Sequence, residues 1–173
     1  MTITKQNFGR IKAALIFLTP IIVLIASTVL FYSGFSPDGK TNNGILFDPP
    51  VELNDLNFSV SSGPLTKEFP GRWTIVHLLN DTCSENCWKT LYSTRQVNVR
   101  LAKNSSRVVR YLLLTENTKL TEKDLKKLAS EYPMLNLGEV KFENLPHEAK
   151  DGLPYNPYIL FDPLGNGVLM YDV

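Results

Sequence analysis

The sequence predicts an α/β domain with the element order β-α-β-α-β-β, preceded by one transmembrane helix. Three observations predict this fold class: an uncharged N-terminal run, two apolar strand patterns with a helical pattern between them, and a C-terminal pair of strand patterns around a turn. An extended or hairpin segment is expected between the transmembrane helix and the first core strand. The chain behind the helix is long enough for one domain with its own core.

The N-terminal segment has the composition of a membrane anchor. Residues 13–32 carry no charged side chain, and about 20 apolar residues are needed to cross a bilayer. Residues 1–12 contain only basic charges, which predicts a cytoplasmic N-terminus and an outer location for the rest. A cleaved signal peptide is the alternative, but the run is long for one and no A-x-A-like site follows. Residues 33–44 are predicted as a flexible linker and residues 45–173 as the folded domain.

The charge of the outer domain restricts its partners. The whole chain has 18 Lys and Arg against 17 Asp and Glu, and residues 1–12 hold three of the basic residues. The remainder therefore carries 15 basic and 17 acidic residues, with no basic stripe. Nucleic acid is not expected as a partner. On the outer face, an oxidising compartment, a close cysteine pair becomes oxidised unless it is reduced or filled with a metal ion.

Two apolar runs and the segment between them form a predicted β-α-β unit. Residues 73–79 are a strand pattern bounded by turn residues, and residues 108–114 are almost continuously apolar, as in a buried parallel strand. Residues 85–101 between them show a helical pattern. The predicted packing positions of this helix are Trp88, Leu91, Tyr92, Val97 and Val99. Two parallel strands joined in this way form a right-handed crossover.

A second helix and a hairpin complete the predicted domain. Residues 121–130 open with a Thr-Glu-Lys-Asp start signal and place Leu125, Leu128 and Ala129 on one face. Two strands, residues 158–161 and 168–171, flank an Asp-Pro-Leu-Gly-Asn-Gly turn.

Both cysteines of the chain lie between the first core strand and the first helix. Cys83 and Cys87 are four residues apart, so at the start of a helix they lie one turn apart on the same face. Thr82 and Glu85 have the form of a capping box, which predicts Thr82 as the N-cap and Cys83 as the first helical residue. The helix dipole favours a thiolate there, whereas Asp81 and Glu85 oppose it.

The spacing suits a dithiol/disulfide couple or a shared metal ion. An inert buried pair or a plain structural disulfide is the alternative. A structural disulfide stabilises a protein most when it closes a long loop, and a bond between these two cysteines would close only a very short one. Redox-active and metal-binding thiols are commonly presented at a strand-to-helix junction, which favours a functional pair.

The element order with this cysteine pair resembles the thioredoxin fold and, within it, the SCO/SenC group of membrane-anchored copper chaperones. The resemblance rests on the anchor, the Cys83-x-x-x-Cys87 motif, the apolar strand before it, and residues 158–166, which are similar to the Y-L-x-D-P-x-G hairpin of that group. The Arg95-Gln96 pair resembles a pair in a divergent subgroup that accompanies haem–copper oxidases in proteobacteria.

The resemblance implies an assembly factor for the copper site of cytochrome c oxidase. The protein would bind copper(I) through Cys83 and Cys87, act as a copper chaperone and/or as a thiol reductant, and have oxidase subunits as partners. It would lie in the bacterial inner membrane as a single-pass protein with its C-terminal domain in the periplasm.

Two departures from the SCO pattern concern the site. Trp88 stands where SCO proteins have Pro, and residues 152–157 lack the histidine that supplies the third copper ligand. Copper(I) takes thiolates readily, with imidazole a suitable partner, so His147 is the candidate third ligand, and an ordinary surface-loop histidine is the alternative. His77 lies in a strand pattern and is predicted as a hydrogen-bonded strand residue. Pro157 is a candidate for the cis peptide that thioredoxin-like proteins place opposite their cysteines.

Three functions stay open from the sequence. The first is the oxidase assembly factor. The second is a general thiol–disulfide oxidoreductase of the periplasm, for which an exposed Cys83 and a resolving Cys87 suffice. The third is a membrane-tethered interaction domain with a vestigial thioredoxin fold and no chemistry.

Overall fold

The structure is a computed structural model, and it describes residues 5–34, 44–64 and 71–171. The chain divides into two compact units, Met1–Thr41 and Asn42–Val173. Residues 1–4 of the predicted cytoplasmic segment and residues 35–43 of the predicted linker lie outside the described residues.

The N-terminal unit contains one long helix, α1, at Lys5–Tyr32. Its Gly9–Tyr32 part is long and apolar enough to cross a membrane, which makes it a candidate transmembrane span. The hydroxyls of Thr19 and Thr28 donate to the backbone carbonyls of Leu15 and Leu24, at 2.6 and 2.8 Å. A helix can carry such polar side chains through an apolar environment because their hydrogen bonds are made internally.

In its described part, the C-terminal unit is built on one seven-stranded mixed sheet with the order β1-β7-β6-β3-β4-β5-β2. The strands are β1 (Ile45–Glu52), β2 (Ser59–Ser62), β3 (Trp73–Leu79), β4 (Val108–Leu114), β5 (Leu135–Glu139), β6 (Tyr158–Phe161) and β7 (Asn166–Tyr171). β3, β4 and β5 are parallel, whereas β6, β7, β1 and β2 each pair antiparallel with a neighbour.

The described residues of this unit also form three α-helices: α2 (Glu85–Arg100), α3 (Glu122–Glu131) and the short α4 (His147–Gly152). The start of α3 agrees with the sequence pattern, because Thr121 and Asp124 form a capping box. Of the three residues expected on its packing face, Leu128 is buried, but Leu125 and Ala129 are exposed.

Successive residues of the central strands enter two different hydrophobic cores, because side chains alternate between the faces of a sheet. On β4, Tyr111 and Leu113 belong to the core that includes Leu53, Leu56 and Phe58 of the N-terminal segment. Leu112, which lies between them in the sequence, belongs to the core formed with α2 and α3. The other members of that core are Leu79, Cys87, Leu91, Leu128, Tyr132 and Leu135.

The predicted β-α-β-α-β-β order is present within a larger sheet. The sequence did not predict β5 or α4. The N-terminal segment is extended, but its two strands do not form a hairpin, because β1 pairs with β7 and β2 pairs with β5 at the opposite edge. The C-terminal hairpin has the expected turn, in which the Asp162 carboxylate accepts from the backbone N–H groups of Leu164 and Asn166 at 2.9 and 2.8 Å.

The packing face predicted for α2 was wrong in part. Leu91 is buried and Trp88 is half-buried, but the other buried residues of the helix are Cys87, Thr90 and Thr94. Tyr92, Val97 and Val99, which were predicted to pack, are all more than half exposed. The helix therefore presents a mixed, partly polar face to the sheet.

Candidate functional site: a disulfide at the start of the second helix

Cys83 and Cys87 form a disulfide bond at the carboxyl end of β3, with 5.3 Å between their Cα atoms. Thr82 was predicted as the N-cap of α2, and this was wrong. The N-cap is Ser84, whose hydroxyl accepts from the backbone N–H of Cys87 at 3.3 Å. Cys83 therefore precedes the helix, and Cys87 is its third residue.

The two bonded cysteines differ in exposure. Cys83 is partly exposed, whereas Cys87 is only 4% exposed and lies in the core beneath α2 with Leu79 and Leu91. An incoming thiol can therefore reach the sulfur of Cys83 more readily than the sulfur of Cys87. This arrangement has the asymmetry of an attacking and a resolving cysteine.

Three hydrogen bonds from two other segments fix the cysteine loop. The Thr115 hydroxyl donates to Oδ1 of Asn80 at 2.7 Å, directly after β3. The Thr118 hydroxyl donates to the carbonyl of Leu79 at 2.6 Å. Nδ2 of Asn156 donates to the hydroxyl of Ser84 at 3.2 Å. The strand end and the helix start thus have fixed partners on both sides of the disulfide.

A groove of about 360 Å³ adjoins this loop. Its lining includes Asp81, Thr82, Ser84, Lys150 and Asn156. The groove mixes polar and apolar surface and carries charges of both signs, from Asp81 and Lys150.

Ser84, Asn156 and Lys150 were missed by sequence reasoning. Asn156 adopts a left-handed backbone conformation with φ of 53°. Asn tolerates this conformation better than most residues, so the Asn-Pro pair at 156–157 could have marked a turn here. Pro157 was a candidate for a cis peptide, but the cis peptide of the described residues is Asp48–Pro49, so the bond before Pro157 is trans.

His77 is a buried strand residue with a hydrogen-bond partner, as predicted. Its Nε2 lies 3.0 Å from the hydroxyl of Thr94, and that hydroxyl donates its single proton to the carbonyl of Leu91 at 3.1 Å. Thr94 must then accept from His77, which assigns the ring proton to Nε2. Burial first, and the charge of Arg110 second, lower the pKa of His77 to about 3, so the ring is neutral at ordinary pH.

The structure does not bring the predicted third copper ligand to the cysteines. His147 is the first residue of α4, its side chain is 86% exposed, and its Nδ1 lies 3.2 Å from Oδ2 of Asp151. Among the described residues, no group of three or more His, Cys, Asp or Glu side chains could hold a metal ion. Copper(I) would have two sulfur ligands only after reduction of the disulfide, and a third ligand from His147 stays a prediction.

Trp88 and Arg95 lie on the side of α2 that faces α3. The Trp88 ring lies 6.2 Å from the Tyr132 ring, between centroids, and the ammonium group of Lys127 is 3.9 Å from the Trp88 ring. The guanidinium of Arg95 lies 5.7 Å from the Tyr132 ring. Arg95 is thus half-buried against an aromatic residue.

The comparison with known proteins agrees with the fold. A family model described as "Transmembrane-like, thioredoxin-like, C-terminal domain" matches residues 73–173. No curated protein matches the sequence.

Several solved structures are similar at low identity. The chain is 16% identical to copper-bound ScoI of Arabidopsis thaliana, with a TM-score of 0.48 over 76% of this chain and 88% of that one. Copper-bound ScoI of Bradyrhizobium japonicum is 14% identical, with a TM-score of 0.48 over 76% and 90%. A DsbF homologue of Corynebacterium diphtheriae is 9% identical, with a TM-score of 0.48 over 79% and 87%. The family assignment rests on the family model.

Proposed function

Because the chain belongs to the family of transmembrane-like proteins with a thioredoxin-like C-terminal domain, we propose that it is a membrane-anchored thiol reductant that acts through Cys83 and Cys87. The observation that carries the proposal is the unequal exposure of the two bonded sulfurs. Cys83 is partly exposed beside an open groove, and Cys87 is buried behind it.

The reaction begins from the dithiol form. The Cys83 thiolate attacks one sulfur of a partner's disulfide, a mixed disulfide forms, and the partner's other sulfur leaves as a thiolate. The Cys87 thiolate then attacks the sulfur of Cys83 and releases the second partner thiolate. The partner has gained two electrons, and this chain has the Cys83–Cys87 disulfide that the structure contains. A dithiol of another thiol–disulfide protein returns the pair to its reduced form.

The chain's own residues position this exchange. The N–H groups of the first turn of α2 and the helix dipole stabilise negative charge on Cys87 when it becomes the attacking group. The Ser84 cap and its contact with Asn156 hold the backbone between the two cysteines, so the sulfurs stay within bonding reach.

We propose the copper-site cysteines of cytochrome c oxidase as the substrate. The support is the resemblance of the Cys83-x-x-x-Cys87 motif and the residue 158–166 hairpin to SCO/SenC proteins. The same proposal puts the protein in the bacterial inner membrane, with the thioredoxin-like domain in the periplasm; its support is the candidate span at Gly9–Tyr32 and the purely basic charge of residues 1–12. An oxidase subunit held in the same membrane would meet this domain without free diffusion through the compartment.

Copper(I) delivery is a narrower form of the same proposal. Two reduced thiols four residues apart offer two soft ligands to a copper(I) ion carried as cargo. The described residues group no third ligand with them, so a three-coordinate copper(I) site would lack one ligand, whereas a dithiol/disulfide couple needs only the two cysteines. Thiol reduction is therefore the function that the geometry supports best.

Trapping of the mixed disulfide tests the order of attack. Full-length Cys87→Ser protein, reduced and mixed with a disulfide-bonded peptide carrying the oxidase copper-site cysteines, should accumulate a covalent adduct on a non-reducing gel. Cys83→Ser protein should form little adduct, because Cys87 is buried. His147→Ala protein, which keeps both cysteines, should resolve the adduct as the wild type does.

The outcome separates the open alternatives. Equal reduction of an unrelated disulfide peptide would favour a general thiol–disulfide oxidoreductase. Absence of any adduct with Cys87→Ser, together with full oxidase assembly in cells that carry Cys83→Ser Cys87→Ser, would reject the redox function and favour an interaction domain.

A further inference from the structure

Arg110 is a buried cation on the central strand β4, beneath α2. Its side chain is buried with the residue 3% exposed, and its Nη1 donates to the carbonyl of Leu91 at a long 3.5 Å. The ion pairs of the described residues are Lys141–Glu143 and His147–Asp151, so no carboxylate among them neutralises Arg110.

Within the described parts of the chain, this guanidinium has the hydrogen bond to Leu91 but no carboxylate partner, which is less than burial of a charge normally requires. It carries five N–H donors and stays protonated at any ordinary pH, so it cannot escape the cost of burial by losing its proton. Burial first, and the charge of Arg95 second, lower the pKa of Arg110. Buried charges in proteins are generally paired or bound to an ion of opposite sign.

A second cation approaches the same place from α2. The Arg95 guanidinium lies against the Tyr132 ring. Burial is the largest effect on the Tyr132 hydroxyl and raises its pKa, and the charges of Arg95 and Arg110 partly oppose that rise. Arg95 is half-buried and lies one helical turn after Leu91, whose carbonyl accepts from Arg110. Glu131 lies near enough to Tyr132 to raise the pKa of its hydroxyl, but within the described residues it forms no ion pair with either arginine.

We propose that Arg110 and Arg95 form a binding site for one small oxyanion at the junction of β4, α2 and α3. The ligand is a carboxylate or a phosphate-like group, because the planar guanidinium fork matches two oxygens of either one. Arg110 makes the buried contact and Arg95 closes the site towards solvent. The oxyanion comes either from solution or from an acidic side chain of a protein that docks on α2. This site is separate from the disulfide and goes beyond the proposed redox function.

Anion-dependent stabilisation of the full-length protein in detergent tests the site. The probes are sodium phosphate and sodium acetate, each compared with sodium chloride at equal ionic strength. Both tryptophans, Trp73 and Trp88, lie in the thioredoxin-like domain, so their fluorescence follows its thermal unfolding. For the wild type we expect the unfolding midpoint to rise with the logarithm of probe concentration above the dissociation constant, by on the order of 5 °C at a twentyfold excess over that constant.

Two variants and one control locate the effect. Arg110→Met should remove the rise, and Arg95→Gln should weaken the apparent affinity about tenfold, because a charge-assisted hydrogen bond is lost. Arg100→Met, an exposed arginine at the end of the same helix, should keep the wild-type response. Replacing an unpaired buried charge by an apolar side chain is often neutral or stabilising, so Arg110→Met is expected to fold. If Arg110→Met does not fold, the test rests on Arg95→Gln, since Arg95 is half-exposed and its replacement leaves the core intact.

The results decide between the site and general salt effects. An equal rise in wild type and Arg110→Met, or an equal rise with sodium chloride, would overturn the proposal. Tighter binding of acetate than of phosphate would identify an acidic side chain as the ligand, and the reverse would identify a phosphate from solution.

Discussion

The neutral state of His77 makes the stability of the thioredoxin-like domain dependent on pH in a window that can be calculated. The ring titrates near its ordinary value of 6.5 in the unfolded chain and at about 3 in the folded protein, chiefly because it is buried. Between these values the unfolded chain binds one more proton than the folded chain, so stability is lost as the pH falls below 6.5. The loss reaches about 1.4 kcal/mol per pH unit, and about 2 kcal/mol has been lost at pH 5.

The measurement is urea unfolding of the full-length protein at pH 8, 6 and 5, followed by tryptophan fluorescence. Carboxylates with lowered pKa values, such as Asp124 and Asp162, titrate below this window and contribute little to it. For the wild type we expect the free energy of unfolding to fall by about 2 kcal/mol between pH 8 and pH 5. His77→Gln, which keeps a hydrogen-bonding group near Thr94 but cannot titrate, should show almost no fall.

The other histidine of the chain gives the matched control. His147 is exposed on α4, so His147→Gln should keep the full pH dependence of the wild type. The reasoning would be refuted by a wild-type stability that is flat between pH 8 and pH 5. A His77→Gln variant that loses the same 2 kcal/mol as the wild type would refute it equally, since the titrating group would then lie elsewhere.

Three further predictions concern the cysteines and the anchor. In reduced, folded protein, Cys83 should be alkylated at least about tenfold faster than Cys87, measured by mass spectrometry of the labelled peptides; equal slow labelling would indicate an inert pair. In competition with a copper(I) chelator, wild type should bind one ion more tightly than Cys83→Ser or Cys87→Ser, and less tightly as the pH falls, because thiolates must lose protons to bind. If His147→Ala matches wild type in that titration, the site is a bare dithiolate. A reporter fused after residue 173 should be active only in an exported form, and activity of a cytoplasmic reporter there would contradict the predicted topology.

The sequence predicted the elements whose patterns depend on local composition. The long uncharged run became α1, the two apolar runs became the central parallel strands β3 and β4, and the Asp-Pro-Leu-Gly-Asn-Gly segment became the turn of the C-terminal hairpin. In each case one physical requirement, such as burial on both faces of the sheet, determines the residue types almost alone.

The sequence did not predict β5, because two of its five residues are Asn and Gly, which the packing of the folded domain requires but which are uncommon in strands. Asn136 is fully buried, and its Nδ2 donates to the carbonyl of Arg110 at 3.0 Å. Gly138 is required by close packing, since a Cβ there would lie 2.6 Å from the carbonyl oxygen of Ser59 on β2. Asn and Gly are both depleted in strands, so the five-residue pattern carried no strand signal before its neighbours were known.

The cysteine pair was predicted in the correct place, but its exact relation to the helix was not. Thr82 and Ser84 are both good N-cap residues, and Thr82 has the additional Glu at the right spacing. The structure uses Ser84, whose hydroxyl also accepts from Asn156, some 70 residues further along the chain. A contact at that separation leaves no trace in the local sequence, and it moves Cys83 out of the helix.

The polar face of α2 follows from the two basic residues beneath it. The carbonyl of Leu91 accepts from the hydroxyl of Thr94 at 3.1 Å and from Arg110 at 3.5 Å, and Thr94 in turn accepts from His77. Both buried basic side chains are therefore tied to one backbone carbonyl, one helical turn after Cys87. An apolar residue at position 94 would leave the ring N–H of His77 without its hydrogen-bond partner. A pattern of apolar residues therefore could not predict that Thr94 lies on the buried face of α2. Protonation of His77 would place a second cation beside Arg110 beneath α2, which is the second cause, after burial, of the lowered pKa of His77.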